Sequence, residues 1–336
     1  MNITRRKFVK LATVAGLVGV TGGLAGCGEK SASVEKSASA AEKSAVAENS
    51  SAKSKVYFTK KIDAESLIEL YQKINADITG KVAIKLHTGE PHGPNILPRD
   101  IVQKFQAQVP NSTIIEANVA YGSARASTER HRETLKTNGW TFCPVDIIDA
   151  DGEKNFPVNG GLHLKEVAMG AHLADYDSLI VLTHFKGHSM GGFGGSLKNI
   201  AIGCASGKVG KRQVHGLQDY GTWVTGEIFM ELMADSGKAI CDHFGKHLVF
   251  LNVMRRMSVD CDCAGTSAAE PTCADIGILA STDILAIDQA SIDLVYAAPD
   301  TKDLRERIES RQGLRQLTAM AELKMGNKDY ELVEVG

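Results

Sequence analysis

Thr183-His184-Phe185-Lys186-Gly187-His188-Ser189-Met190-Gly191-Gly192-Phe193-Gly194-Gly195-Ser196-Leu197-Lys198-Asn199 is the stretch on which the reading of this chain turns. The apolar run Ser178 to Leu182 before it has the length and composition of a buried strand. Two histidines and a lysine thus arrive where a strand ends, with five glycines among them. Glycine turns through positive φ and lets a ligand approach backbone N–H groups closely. Lys198 and Asn199 open a predicted helix, whose N-terminus favours an anion. Open α/β sheets receive ligands at such strand ends.

Working outward, short apolar runs at 56–59, 81–86, 112–118, 145–149, 247–254, 276–280 and 330–335 read as further strands. Helical spacing of apolar residues marks 63–75, 98–108, 128–138, 162–173, 227–244, 283–298 and most of 304–325, with Asp283 placed to cap its helix. Strands alternating with helices predict an α/β fold: a mostly parallel sheet with helices on both faces. The segment 55–336 is long enough to form it as a single large domain.

The first 54 residues belong to another regime. Thr4-Arg5-Arg6-Lys7-Phe8 followed by the apolar run Leu11 to Gly19 matches a twin-arginine export signal, and Leu24-Ala25-Gly26-Cys27 matches a lipoprotein cleavage box. The run is too short and too rich in small residues to span a bilayer well. Residues 1–26 are thus expected to be a leader, with lipid on Cys27 anchoring an exported protein to the membrane and facing it to the periplasm or exterior. Residues 27–54 are Ser, Ala, Glu and Lys almost throughout, too polar to offset ordering entropy, and predict a flexible tether. Without the four basic residues of the leader, 34 basic side chains face 40 acidic ones, a net charge of −6. That balance argues against a nucleic-acid partner.

Polar residues gather at successive predicted strand ends. His87 and Glu90, with His92, follow 81–86. Tyr121, Arg125 and His131 follow 112–118, and His184, Lys186 and His188 follow 178–182. Histidines with a lysine between them suit proton transfer or binding of a metal or an anion. Arg125 suits a bidentate carboxylate or phosphate contact, and Gly194, Gly195, Lys198 and Asn199 complete an expected anion site. Asp288 lies in an apolar helical stretch, where a carboxylate needs partners. Cys261-Asp262-Cys263 with Cys273 is the sharpest chelation signal: three thiolates, with His188 or Asp260 as a fourth donor, can converge on a soft metal. The spacing also allows a Cys261–Cys273 or Cys263–Cys273 disulfide, and Cys143, Cys204 and Cys241 read as buried thiols. Walker and HExxH motifs are absent from the sequence, and Gly191 to Gly195 does not match GxGxxG.

Four segments together resemble the family of domain of unknown function number 362. They are Lys85-Leu86-His87-Thr88-Gly89-Glu90-Pro91, Tyr121 to Thr128 with His131, His184 to Asn199, and Asp260 to Cys263 with the stretches 274–281 and 286–290. The resemblance implies an iron–sulfur association, since many members carry an inserted ferredoxin-like module with CxxCxxCxxxCP motifs. This chain departs from them: between Gly203 and His247 it has only Cys204 and Cys241, so no ferredoxin-type cluster is expected there. Two functions follow as expectations. One is a lipid-anchored protein holding a metal ion or iron–sulfur centre, with a redox role. The other is a non-catalytic extracytoplasmic binding lipoprotein for a small anionic ligand. Both require the loops after separate strands to meet at the sheet's carboxyl edge.

Overall fold

A computed structural model describes residues 53–336; the expected leader, Cys27 and nearly all of the expected tether lie outside the described residues. In chain order the elements are β1 (Ser54–Thr59), α1 (Ala64–Gln72), β2 (Val82–Lys85), α2 (Arg99–Ala107), β3 (Ser112–Glu116), α3 (Thr128–Thr137) and β4 (Val145–Ile147). Next come β5 (Glu153–Pro157), β6 (Glu166–Gly170), β7 (Ser178–His184), β8 (Lys186–His188) and β9 (Gly192–Gly194), then α4 (Ser196–Ala201), α5 (Gly210–Val214), α6 (Leu217–Tyr220) and α7 (Glu227–Phe244). The last are β10 (Leu248–Met254), β11 (Gly277–Ser281), α8 (Ile284–Ala297), α9 (Lys302–Ser310), α10 (Arg315–Glu322) and β12 (Tyr330–Glu334).

Eight strands form one sheet in the order β12-β1-β11-β10-β7-β2-β3-β4. Its pairings are parallel except at β11, which runs antiparallel to both β1 and β10. The α/β fold with a mostly parallel sheet is thus as the alternation of elements predicted. Strand side chains point alternately to two apolar layers. Val82, Ile84, Val249 and Leu251 meet Leu67, Tyr71 and Phe105 of α1 and α2; Ala83, Leu248, Phe250 and Met254 share the opposite layer with α4, α7 and α8. Asp63 caps α1 through the Ser66 amide at 2.7 Å, and Asp283 caps α8 through that of Ala286 at 2.9 Å. Among the described residues no helix is long and apolar enough to cross a membrane.

The expected helix at 162–173 is not formed. Val167 to Gly170 is a buried strand that pairs antiparallel with β5, with Phe156 opposite Val167, and only the turn from Ala171 to Asp175 is helical. A four-residue buried apolar run fits strand and helix alike. Its partner β5 buries only Phe156 and gave the sequence reading no signal. The glycine stretch likewise holds a small hairpin of β8 and β9.

His172 closes the far side of this region, with Nδ1 at 2.8 Å from Asp146 and Nε2 at 2.8 Å from Asp151. The hydrogen bond to Asp146, helped by both carboxylates, raises its pKa above the usual histidine value. A raised folded pKa stabilises the protein fully below about pH 6.5, and the contribution is lost as pH rises through the raised value. His172→Ala is therefore expected to flatten unfolding free energy between about pH 6 and 8. The change should be about 1 kcal/mol or less because the pair is partly exposed.

Candidate metal centre and anion cavity

β10, β7, β2 and β3 are adjacent and parallel, so they deliver their carboxyl ends to one edge. The chain lays β3 and β4 on one side of β2 and then returns to place β7 on the other, so strand order reverses there. A crevice opens at such a reversal, and a cavity of about 290 Å3 occupies it. Lys85 and His87 reach it from the end of β2, Glu116 and Arg125 from that of β3, and Lys186 and His188 from that of β7. Lys198 and Asn199 reach it from α4, and Cys263 from the loop after β10.

The sulfurs of Cys261 and Cys263 and a ring nitrogen of His188 all lie within 4.8 Å of one another. A hydrogen bond from Cys263 holds the Cys261 thiol well below its usual pKa. Burial opposes this, while Lys198, Lys186 and a hydrogen bond from His87 add to it. Lys198 Nζ is 3.9 Å from Cys261 Sγ. Cys263, the donor in that pair, is pushed up and remains a thiol. A tetrahedral soft ion, with sulfur at about 2.3 Å and imidazole nitrogen at about 2.0 Å, needs donors just under roughly 4 Å apart, so a small contraction lets this group fit one. Three protein donors with a side open to a cavity match sites that bind a further ligand. Nδ1 of His188 accepts amide N–H from Met190 at 3.2 Å and Gly191 at 2.8 Å, and burial holds the ring well below its usual pKa. The neutral ring thus carries its proton on Nε2. Ligation at Nε2 would require the other tautomer, with the proton on Nδ1 and the two amide hydrogen bonds given up, so the two sulfurs would supply most of the affinity for a soft ion.

His184 stands behind this group. Its Nδ1 is 2.9 Å from Asp262 and its Nε2 is 2.8 Å from the Arg255 carbonyl oxygen, so both ring nitrogens face oxygen acceptors. Lys186 Nζ donates to the His184 carbonyl at 2.7 Å and pairs with Asp262 at 3.2 Å. Burial alone would raise Asp262, but His184 and Lys186 outweigh it and hold the carboxyl well below its usual range. Asp262 lies between the two cysteines, so these contacts fix the thiol loop rather than contact a ligand.

Arg125 and Asn199 are also committed within the protein. Arg125 donates to Glu90 at 3.0 Å and to Glu116 at 3.5 Å, and Tyr121 donates to Glu90 at 3.2 Å. Asn199 accepts from Lys85 at 3.2 Å and donates to the Leu182 carbonyl at 3.1 Å and to Thr183 Oγ1 at 3.0 Å. The amino end of α4 is taken as well. Asp288 of α8 accepts from the amides of Ser196 at 2.8 Å and Leu197 at 2.9 Å, the place where the sequence pointed to a bound anion. A Cβ on Gly195 would stand 2.5 Å from the Asp288 carboxylate. One on Gly187 would stand 2.3 Å from the Val259 carbonyl oxygen, where the thiol loop packs on β8. These two glycines therefore admit protein neighbours.

Cys273 does not join the metal group: its thiol is half-buried and donates to the Met257 carbonyl at 3.7 Å. Asp260 is held by Arg307 at 3.0 Å. His188 is the third donor in their place. All six described cysteines are free, so neither expected disulfide joins Cys273 to its neighbours.

Sequence reasoning missed Lys85, Glu116, Lys211, His215 and Trp223, all of which line the cavity. Lys85 was hidden inside an apolar strand. The region from 204 to 226, which holds Lys211, His215 and Trp223, carries no periodicity to place it.

A family model described as Domain of unknown function (DUF362) matches residues 82–293. The chain belongs to that family. The matched DUF362 span contains β2 to most of α8 and hence every cavity residue named above. No curated protein matches the sequence. Among solved structures, this DUF362 chain is similar at 12% identity to the lactate racemase apoprotein from Thermoanaerobacterium thermosaccharolyticum. That match has a TM-score of 0.39 and covers 70% of this chain and 56% of the other. It is similar, again at 12% identity, to a protein from Thermotoga maritima, with a TM-score of 0.34 and coverage of 56% and 49%. The chain therefore spans about half the length of each.

Proposed function

We propose that this protein is an exported, lipid-anchored metalloprotein that binds a small anion beside a soft metal ion and serves a redox role. The observation that carries the reading is the meeting of Cys261, Cys263 and His188 at the wall of a cavity where strand order reverses. Lipidation at Cys27 and export by the twin-arginine route rest on the leader sequence. A soft metal held there would supply Lewis-acid or one-electron chemistry. Lys198 and Lys186 stabilise the Cys261 thiolate, His87 orients it by a hydrogen bond, and Asp262 with His184 fixes the loop that carries it. Tyr121 and Trp223, both exposed on one side, line the cavity.

Elemental analysis of protein matured in its native host tests the metal. About one equivalent is expected in the wild type and in Cys273→Ser, and none in the doubly substituted Cys261→Ser, Cys263→Ser protein. Metal-free wild type, or loss on Cys273→Ser alone, would refute the assignment.

A second reading, a non-catalytic binding lipoprotein for a small anion, is favoured by two buried ammonium groups. Lys198 and Lys211 line the cavity, and among the described residues no carboxylate pairs with either. Lys198 has the Cys261 sulfur beside it at 3.9 Å, whereas Lys211 bonds only a carbonyl oxygen, and a buried cation without a counter-charge is costly. Thermal-shift measurements with simple carboxylates and phosphates should raise the melting temperature, and should do so less in Lys198→Met. Stabilisation that persists with chelator present and in Cys261→Ser would favour this reading over the first.

A further inference from the structure

Lys211 is placed for more than charge balance. Only 4% of its surface is exposed, and its Nζ donates to the Ala205 carbonyl at 2.7 Å. Burial lowers its pKa to about 8, so at neutral pH about a tenth of the amine is uncharged. His215 follows four residues later and lines the same cavity. Its Nδ1 lies 2.6 Å from the Lys211 carbonyl oxygen, an acceptor, so Nδ1 bears the hydrogen and Nε2 keeps its lone pair. The ring is held between Trp223 and Phe229, with centroids at 4.3 and 5.0 Å, and burial lowers its pKa to about 4. An anion anchor gains from a fully charged lysine. Here a partly neutral amine stands one helical turn from a neutral base of fixed tautomer, on an aromatic wall.

We propose that Lys211 captures the carbonyl group of a small oxo acid as an imine within this cavity. The inference deepens the reading of the cavity as an anion site, and it is independent of the metal. The Nζ lone pair attacks the carbonyl carbon while the carbonyl π electrons move to oxygen. One proton leaves nitrogen and reaches that oxygen through His215 Nε2, giving a carbinolamine. The hydroxyl then departs as water with the proton that His215 Nε2 returns to it as the nitrogen lone pair forms the C=N bond, and the remaining nitrogen proton passes back to His215. Amine and carbonyl thus give imine and water, with no oxidant or reductant. Lys198, the other cavity ammonium without a carboxylate partner, faces the acid end.

The full-length protein is incubated with pyruvate, glyoxylate or 4-formylbenzoate, then reduced with borohydride and mapped by peptide mass spectrometry. Labelling at Lys211 ahead of every other lysine is expected. Labelling at this position should vanish in Lys211→Arg, which keeps the charge, and fall roughly a hundredfold in rate in His215→Gln, with melting temperatures confirming that both variants fold. Labelling spread over exposed lysines, or an unchanged total in Lys211→Arg, overturns the proposal. Acetaldehyde separates the two layers of the argument. Preference for pyruvate supports both, whereas equal labelling at Lys211 by the two probes keeps the imine and removes the anion reading. Labelling retained in the Cys261→Ser, Cys263→Ser protein supports the imine whatever the metal analysis gives.

Discussion

Replacing Glu116 by alanine is expected to destabilise the protein by about 3–5 kcal/mol, because removing one partner leaves buried charges without compensation. Glu116 is buried at the end of β3, 3.1 Å from Lys85 Nζ, and accepts from the Thr88 amide at 2.8 Å and from Arg125 at 3.5 Å. Burial works to raise its pKa, yet Lys85 and Arg125, with His87 and His131, outweigh burial and hold it far below the usual carboxylate range. A depressed folded pKa contributes stability above the unfolded value, lost as pH falls through the folded one. Acid unfolding should therefore begin below about pH 4.5, and Glu116→Gln should flatten that limb. Urea unfolding followed from pH 7 to 3 measures both effects. A Glu116→Ala cost under about 1 kcal/mol would show that Lys85 and Arg125 find other partners or water.

Asp288→Ala is expected to cost about 2–4 kcal/mol at pH 7, since it strips the cap from α4 and leaves buried donors unpaired. The amides of Ser196 and Leu197 and the side-chain N–H of Asn252, at 2.9 Å, all donate to this carboxylate. The sign of its pH dependence is opposite to that of Glu116. Burial raises Asp288 from 3.8 to about 6, outweighing those three donors. A carboxyl raised on folding favours the fold below its unfolded pKa, and that advantage is lost as pH rises through about 6. Asp288→Asn keeps an acceptor but cannot titrate. The stability of wild type relative to it should fall by about 2 kcal/mol between pH 4 and 6. Parallel curves over that range would place the Asp288 pKa outside it. Gly195→Ala, whose Cβ would meet the same carboxylate, should reproduce part of the destabilisation.

Local pattern determined a good deal of this protein. The alternating apolar runs located the strands of the main sheet, the helix Glu227–Phe244 and the cap Asp283, because these depend on near neighbours in the chain. The same pattern put His87, Arg125 and His188 after strands that parallel pairing brings to a common edge. The tertiary structure alone decided what each residue meets there. Asp288 reaches Leu197 across 91 residues and fills the helix end read as an anion site; Lys198 reaches Cys261 across 63. Cys273 gave way to His188 as third donor, Arg125 was neutralised by Glu90 and Glu116, and Lys211 entered the cavity from a stretch without periodicity. Spacing along the chain encodes which face a side chain takes, whereas strand order sets which distant side chains share a cavity, and that order arises from the packing of the whole sheet.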